Sequence, residues 1–156
     1  MRRKDREITD SAAIESFIAG EQIIRVAFYD EGEIYIVPLN YGYINENGKY
    51  SFYFHGAKAG RKYGLAKASP KVGFEIDGNY QLLEADKACD YSARFESVIG
   101  TGTLTLVEDR EEKVKGLDAL MAQTSRKGGW EYNDAMLNAV AVFRLDVDKL
   151  TCKAKG

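Results

Sequence analysis

The chain has 156 residues, 45% of them hydrophobic, with 22 Lys and Arg against 24 Asp and Glu and a formal net charge of −2. That balance excludes bulk electrostatic attraction to nucleic acid or anionic lipid, so any anionic ligand has to be held locally. A single domain, 1–156, is long enough to bury a core, while two cysteines, Cys89 and Cys152, and one histidine exclude a disulfide framework and a Cys/His zinc cluster.

The first ten residues are mostly charged, and the strongest apolar stretch, 139–143, is far too short to span a bilayer, so a cytoplasmic protein is expected. Asp10 is placed to cap a short helix in which Ile14, Phe17 and Ile18 recur at helical spacing and which Gly20 ends. From 22 to 30 the period is two, which predicts a strand. Glu31 and Gly32 signal a turn, and 33–43 reads as a second strand interrupted by Pro38, a residue of edges, bulges and strand ends. A turn at Asn45, Glu46, Asn47 and Gly48 leads into an aromatic third strand, 50–55, and the three strands are expected to form a meander.

Residues 56–71 read as a loop and a short helix that stops before Pro70, and 72–76 as a fourth strand closed by Asp77 and Gly78. In the long strand region 91–107, Gly100 and Gly102 signal a bulge or a close backbone approach. A helix is predicted over 109–123 with Val114, Leu117, Leu120 and Met121 inward, then a polar loop with Gly128, Gly129 and Trp130, then a last strand over 139–150. The sum is an α+β, mainly β domain of about six antiparallel strands with flanking helices, which suggests a barrel.

The segment 53–62 carries the most chemistry. An aromatic strand ends in His55, passes Gly56 and Gly60, and presents Lys58, Arg61 and Lys62 at a helix start. Backbone N–H groups, close approach at glycine and basic side chains together suit a phosphate, although a solvated basic loop has the same composition. Arg25, on an otherwise apolar strand, either faces inward to a phosphate or carboxylate or lies on the solvated face. The strand end Val37, Pro38, Leu39, Asn40, Tyr41, Gly42 would let a flat ligand lie against exposed backbone, or is simply a bulge. His55 titrates near neutrality and is a candidate proton donor, though a lone histidine is more often structural. No Ser-His-Asp pattern, Walker loop or dinucleotide fingerprint occurs.

Several motifs in order match one family. They are Met1-Arg2-Arg3-Lys4-Asp5-Arg6-Glu7-Ile8, Val37-Pro38-Leu39-Asn40-Tyr41-Gly42-Tyr43, Tyr53-Phe54-His55 followed by Gly60-Arg61-Lys62, Ala88-Cys89-Asp90-Tyr91, Ser97-Val98-Ile99-Gly100-Thr101-Gly102, and Leu150-Thr151-Cys152-Lys153. In these the chain resembles, end to end, the pyridoxamine 5′-phosphate oxidase-like split-barrel flavoproteins, and among them the nitroimidazole-resistance branch. The resemblance implies a split barrel holding FMN noncovalently in a groove between the subunits of a homodimer. It implies that Arg61 and Lys62 grip the phosphate, that Arg25 supports the phosphate or ribityl chain, and that Val37, Pro38, Leu39, Asn40 and Tyr41 line the isoalloxazine through backbone contacts. Tyr53, Phe54 and His55 would lie along the cofactor, Ser97 and Val98 would close the groove from the other subunit, and Trp130 would cover flavin or substrate. His55 would be the catalytic residue, delivering a proton or touching substrate. The chain departs from the pattern at Gly56, where cysteine is frequent, and at Cys152, where glycine is usual.

The expected function is therefore an FMN-dependent oxidoreductase that reduces a small electrophile such as a nitroaromatic. The alternative is a flavin- or haem-binding module of the same fold without turnover, with His55 as a possible axial ligand. A structural dimer with an empty groove requires Arg61 and Lys62 to be merely solvated.

Overall fold

The computed structural model describes residues 3–156, so Met1 and Arg2 of the N-terminal motif lie outside the described residues. Among the described residues the elements run β1 (Glu7–Ile8), α1 (Ser11–Gly20), β2 (Ile23–Asp30), β3 (Glu33–Asn40), β4 (Gly42–Glu46), β5 (Lys49–Gly56), α2 (Arg61–Ala66), β6 (Lys71–Leu83), β7 (Ser92–Val107), α3 (Arg110–Ser125), α4 (Asp134–Ala139) and β8 (Ala141–Lys155). No helix among them is long and apolar enough to cross a membrane. Eight strands replace the expected six. One antiparallel sheet runs in the order β3-β2-β6-β7-β8-β5-β4, with the short β1 paired to β8.

Local chemistry accounts for most boundaries. The Asp10 carboxylate accepts from the Ala12 and Ala13 amides and starts α1. Asp109 does the same for α3 through the Glu112 amide at 2.9 Å. The turns β2–β3 and β4–β5 each place two residues at positive φ, Glu31 with Gly32 and Asn47 with Gly48, the geometry that matches the twist of a tight hairpin.

The predicted meander does not form. The stretch 33–43 is cut at Tyr41, and its halves β3 and β4 stand at opposite ends of the sheet. Tyr41 explains the cut: it is fully buried, and its hydroxyl donates to the Ile18 carbonyl in the last turn of α1 at 2.6 Å. The chain is thereby pinned as it crosses from one edge to the other. No ladder joins β3 to β4, so the sheet is curled and not closed. Its curl is visible in Phe52 of β5 and Phe74 of β6, separated in the sheet order by β7 and β8, whose rings nonetheless meet at 5.3 Å. The core inside the curl is built from Ile24, Val26, Phe28, Phe54, Ile76, Val98, Leu104, Phe143 and Leu145.

Two further strands differ from expectation. β6 continues past Asp77 and Gly78 to Leu83, because Gln81, Leu82 and Leu83 pair with Arg94, Ala93 and Ser92 after a register shift. The final strand starts at Ala141 instead of 139 and runs to Lys155, the preceding residues forming α4, whose Asn133 side chain caps the Met136 amide at 2.9 Å.

The outer surface of the sheet has two different halves. Over β4, β5 and β8 it is covered by α3, which lies so close that a side chain at Gly42 would enter the backbone of Ala119 and Leu120. Among the described residues no helix lies on the outer face of β3, β2, β6 and β7; there Ile34, Ile36 and Ile99 are 65%, 58% and 57% exposed.

Candidate functional site

β5 alternates strictly at its end. Phe54 points into the core, whereas His55 is exposed on the outer side, and its backbone pairs with Val142 of β8. The chain then turns through Gly60, whose φ of 87° suits glycine, into α2. Lys62, in the first turn of α2, folds back so that its ammonium contacts the His55 carbonyl at 3.4 Å and lies over the rings of Phe143, at 4.7 Å, and Phe54, at 6.0 Å. Gly56 makes room for it: a Cβ there would stand 3.0 Å from Lys62 Nζ.

Arg61 turns the other way. Its Nε donates to Asp30 at 2.7 Å, its Nη2 donates to Glu33 at 3.0 Å, and its guanidinium carbon lies 4.9 Å from the centre of the Tyr35 ring. The two neighbouring cations therefore differ in state. Arg61 is neutralised by two carboxylates of the β2–β3 turn, which push its pKa up, whereas Lys62 forms no ion pair among the described residues. Burial lowers the Lys62 pKa, and burial together with the Lys62 charge lowers that of His55. The imidazole is therefore mainly neutral at pH 7, and its protonated form is a stronger acid than an ordinary imidazolium.

The remaining predicted residues fall into three places. Arg25, Pro38, Asn40 and Ser97 lie on or beside the uncovered outer face; Arg25 donates to Glu75 at 3.0 Å and pairs with Asp77, and the Asn40 amide donates to the Gln22 carbonyl at 3.1 Å. Val37 and Leu39 pack partly against the core from β3, an end strand whose second edge carries no ladder and so presents backbone groups. Tyr41, Tyr53, Phe54 and Val98 are buried, with Tyr53 held under α3 against Gly116. Trp130 stands in the loop between α3 and α4, donates from its indole N–H to the Lys127 carbonyl at 3.4 Å, and makes no hydrogen bond with His55, Arg61 or Lys62. Within one chain the structure thus brings Lys62 onto the Phe54 ring and the His55 carbonyl, while Arg61, the residue before it, is held by the β2–β3 turn.

Sequence reasoning missed Asp30, Glu33 and Phe143. The first two had a signal: Asp30 and Glu33 are carboxylates on either side of the Glu31-Gly32 turn and could partner the basic helix start, which the structure shows they do.

Comparison with known proteins agrees with this architecture. The family model described as pyridoxamine 5′-phosphate oxidase matches residues 10–154. A 5-nitroimidazole antibiotic resistance protein candidate from Bacteroides thetaiotaomicron superposes with a TM-score of 0.81 at 31% identity, covering 95% of this chain and 86% of its own. The flavocytochrome Anf3 of Azotobacter vinelandii (TM-score 0.80, 19% identity, 100% of this chain and 72% of its own) and an FAD and haem binding protein of Mycobacterium smegmatis (0.81, 17%, 97% and 74%) share the fold. No curated protein matches significantly. The curled, unclosed antiparallel sheet, the extent of the family match and the 31% identity together place the chain in the pyridoxamine 5′-phosphate oxidase-like split-barrel family, with the nitroimidazole-resistance branch as its neighbourhood.

Proposed function

We propose that this chain binds FMN between two copies of itself and uses it to reduce a small electrophile such as a nitroaromatic. The observation that carries the reading is Lys62, a half-buried ammonium above two aromatic rings with no carboxylate partner among the described residues. An unpaired cation in that position is disfavoured by desolvation, and a phosphate ester would supply the missing counter-charge. FMN would supply the electron transfer itself. His55 contributes the proton chemistry: its imidazole is exposed, stands on the strand end beside Lys62, and donates more readily once protonated because its pKa is lowered.

The uncovered apolar face of β3, β2, β6 and β7 supports the dimer; Ser97 lies on that face and would meet a second copy seated there, whereas Val98 is buried inside the sheet. The likeness to the nitroimidazole resistance candidate supports the class of acceptor. A second reading is a flavin- or haem-binding module without turnover; its cofactor part is supported by the flavocytochrome and the FAD and haem binding protein that share the fold.

Absorbance of the purified protein separates flavin from haem, since a Soret band assigns a haem module, whereas flavin bands leave the reductase and a flavin-binding module to be separated by turnover. Anaerobic titration of the apo protein with FMN, reduction by NADH or NADPH and reoxidation by a nitroimidazole then tests turnover. Tight binding with reoxidation is expected; binding without reoxidation assigns the module, and no binding overturns both flavin readings.

A further inference from the structure

The largest cavity among the described residues is not at the corner formed by His55 and Lys62. Its volume is about 740 Å³, and it opens at the other end of β5, between α1, the β4–β5 turn and β8. We infer that it is a second binding site, one that takes a small organic ammonium with an apolar body and a hydroxyl at its far end.

The volume falls within the about 300–1,000 Å³ of small-molecule sites. Its inner wall is apolar: Ile14 from α1 and Leu150 from β8 pack partly against the core, and beside them lies Tyr50, 7% exposed. The Tyr50 hydroxyl is the polar exception in that wall. It forms no hydrogen bond among the described residues, yet it is not sealed in protein as the Tyr132 hydroxyl is, and the cavity is where it opens. A hydroxyl so deeply set and without a partner is costly, and a hydroxyl on an occupant would satisfy it. Burial and the Glu15 carboxylate push the Tyr50 pKa up, so the group keeps its proton at neutral pH.

The rim sets the charge. Glu46, Asp146 and Asp148 line it against one cation, Lys49. Asp146 is held by Arg144 and Ser51, but the partners of Glu46 and Asp148 are exposed lysines, Lys115 at 3.3 Å and Lys71 at 2.6 Å. Exposed pairs of this kind are weak enough to leave both carboxylates open to a second cation. The start of α1, which reaches the cavity at Ser11, does not favour an anion instead, because the Asp10 carboxylate already accepts from the Ala12 and Ala13 amides.

This site is separate from the proposed flavin site. Tyr50 and His55 stand near opposite ends of β5, roughly 17 Å apart at the rise of an extended strand, and Tyr50 faces the core whereas His55 faces outward. An occupant would leave His55 and Lys62 untouched, so the inference does not depend on the flavin reading.

Tyramine has all three features, and three relatives change them one at a time: phenethylamine lacks the hydroxyl, tyrosol carries an alcohol in place of the ammonium, and hydroxyphenylpropionate carries a carboxylate there. Each is titrated into the isotope-labelled full chain, with FMN present and absent, and followed by backbone amide shifts. Tyramine should shift the amides of Gly48, Tyr50 and Leu150 saturably, equally with and without FMN, and should bind more tightly than the other three. Tyr50→Phe, which keeps the ring, should weaken tyramine about two- to tenfold, the worth of a neutral hydrogen bond, and leave phenethylamine unchanged. Asp148→Asn should weaken tyramine and leave tyrosol unchanged; it alters only an exposed pair, and so still decides the matter where Tyr50→Phe does not fold. No saturable shift, shifts centred elsewhere, or variants that bind tyramine as the wild type does would overturn the site. Hydroxyphenylpropionate binding as tightly as tyramine would overturn the ammonium. A chain that binds no FMN leaves these readouts intact and counts against the flavin proposal alone.

Discussion

Gly56 shows how one absent atom shapes the site. Where the family often carries cysteine, this chain has no side chain, and Lys62 occupies the space, its Nζ 3.0 Å from where a Cβ would be. Gly56→Ala should therefore swing the ammonium off Phe143. Because the displaced group is the far end of a flexible side chain, the variant should keep its stability to within about 0.5 kcal/mol, yet bind FMN several-fold more weakly. Denaturant melts and FMN titration check the two halves, and unchanged affinity would show that the ammonium is not placed by that gap. His55 offers a second test through pH. Its pKa is lowered by burial and by Lys62, so the unfolded state takes up the proton first; the stabilising contribution is complete above the unfolded value of about 6.5 and is lost as pH falls through the folded one. In His55→Gln that part of the pH dependence of the melting temperature should vanish. Flavin binding should persist while single-turnover reduction of a nitroaromatic slows, and equal rates would return the histidine to packing.

At the scale of elements, the buried side of α3 contains a lysine, a glycine and a glutamine, and each has a specific partner. The Lys113 ammonium donates to the Leu137 carbonyl at 3.4 Å near the end of α4, and Gly116 admits the Tyr53 ring. The Gln123 amide nitrogen is within hydrogen-bonding distance of the carbonyls of Ile18, Ala19 and Glu21, at 3.0, 3.1 and 2.6 Å, satisfying the C-terminal end of α1. Gln123→Leu should destabilise by about 1–3 kcal/mol, the cost of leaving buried carbonyls unpaired, and Gly42→Ala by a similar about 1–3 kcal/mol through forced displacement of α3. Chemical denaturation measures both; a neutral Gln123→Leu would mean that water replaces the amide. These contacts mark the limit of what the sequence makes legible. Asp10, Glu31-Gly32, Asn47-Gly48 and Asp109 act on neighbours a few residues away, so their helix starts and turns can be read directly. The cut at Tyr41, the polar stripe of α3 and the pairing of Arg61 with Asp30 and Glu33 join segments far apart in the chain, and no local period encodes them. The site was legible to the same extent: the basic helix start and His55 stand out, while the carboxylates that separate Arg61 from Lys62 do not.

For the whole molecule the unequal halves of the sheet pose the remaining question. Over β4, β5 and β8 the outer surface is closed by α3, but across β3, β2, β6 and β7 it presents a shallow groove of about 430 Å³ whose lining includes Ala27, Ile36, Gly73 and Ile99. At its edge Arg25 is bound to Glu75 and Asp77, so its cation is already partnered, with one net negative charge left beside the apolar centre. Such a face suits a second copy, since a two-fold arrangement sets each apolar strip against its equivalent. Ile36→Asp combined with Ile99→Asp tests this cleanly. Both side chains are more than half exposed in the single chain, so monomer stability should change little, whereas two carboxylates per face would meet across the interface unpaired. Sedimentation should show a dimer for the wild type and a monomer for the variant. FMN affinity should fall with the dimer, because a groove between two copies loses one wall when they part. A variant that becomes monomeric yet keeps its FMN affinity would place the whole cofactor site within one chain, and a variant that stays dimeric would move the interface to another face.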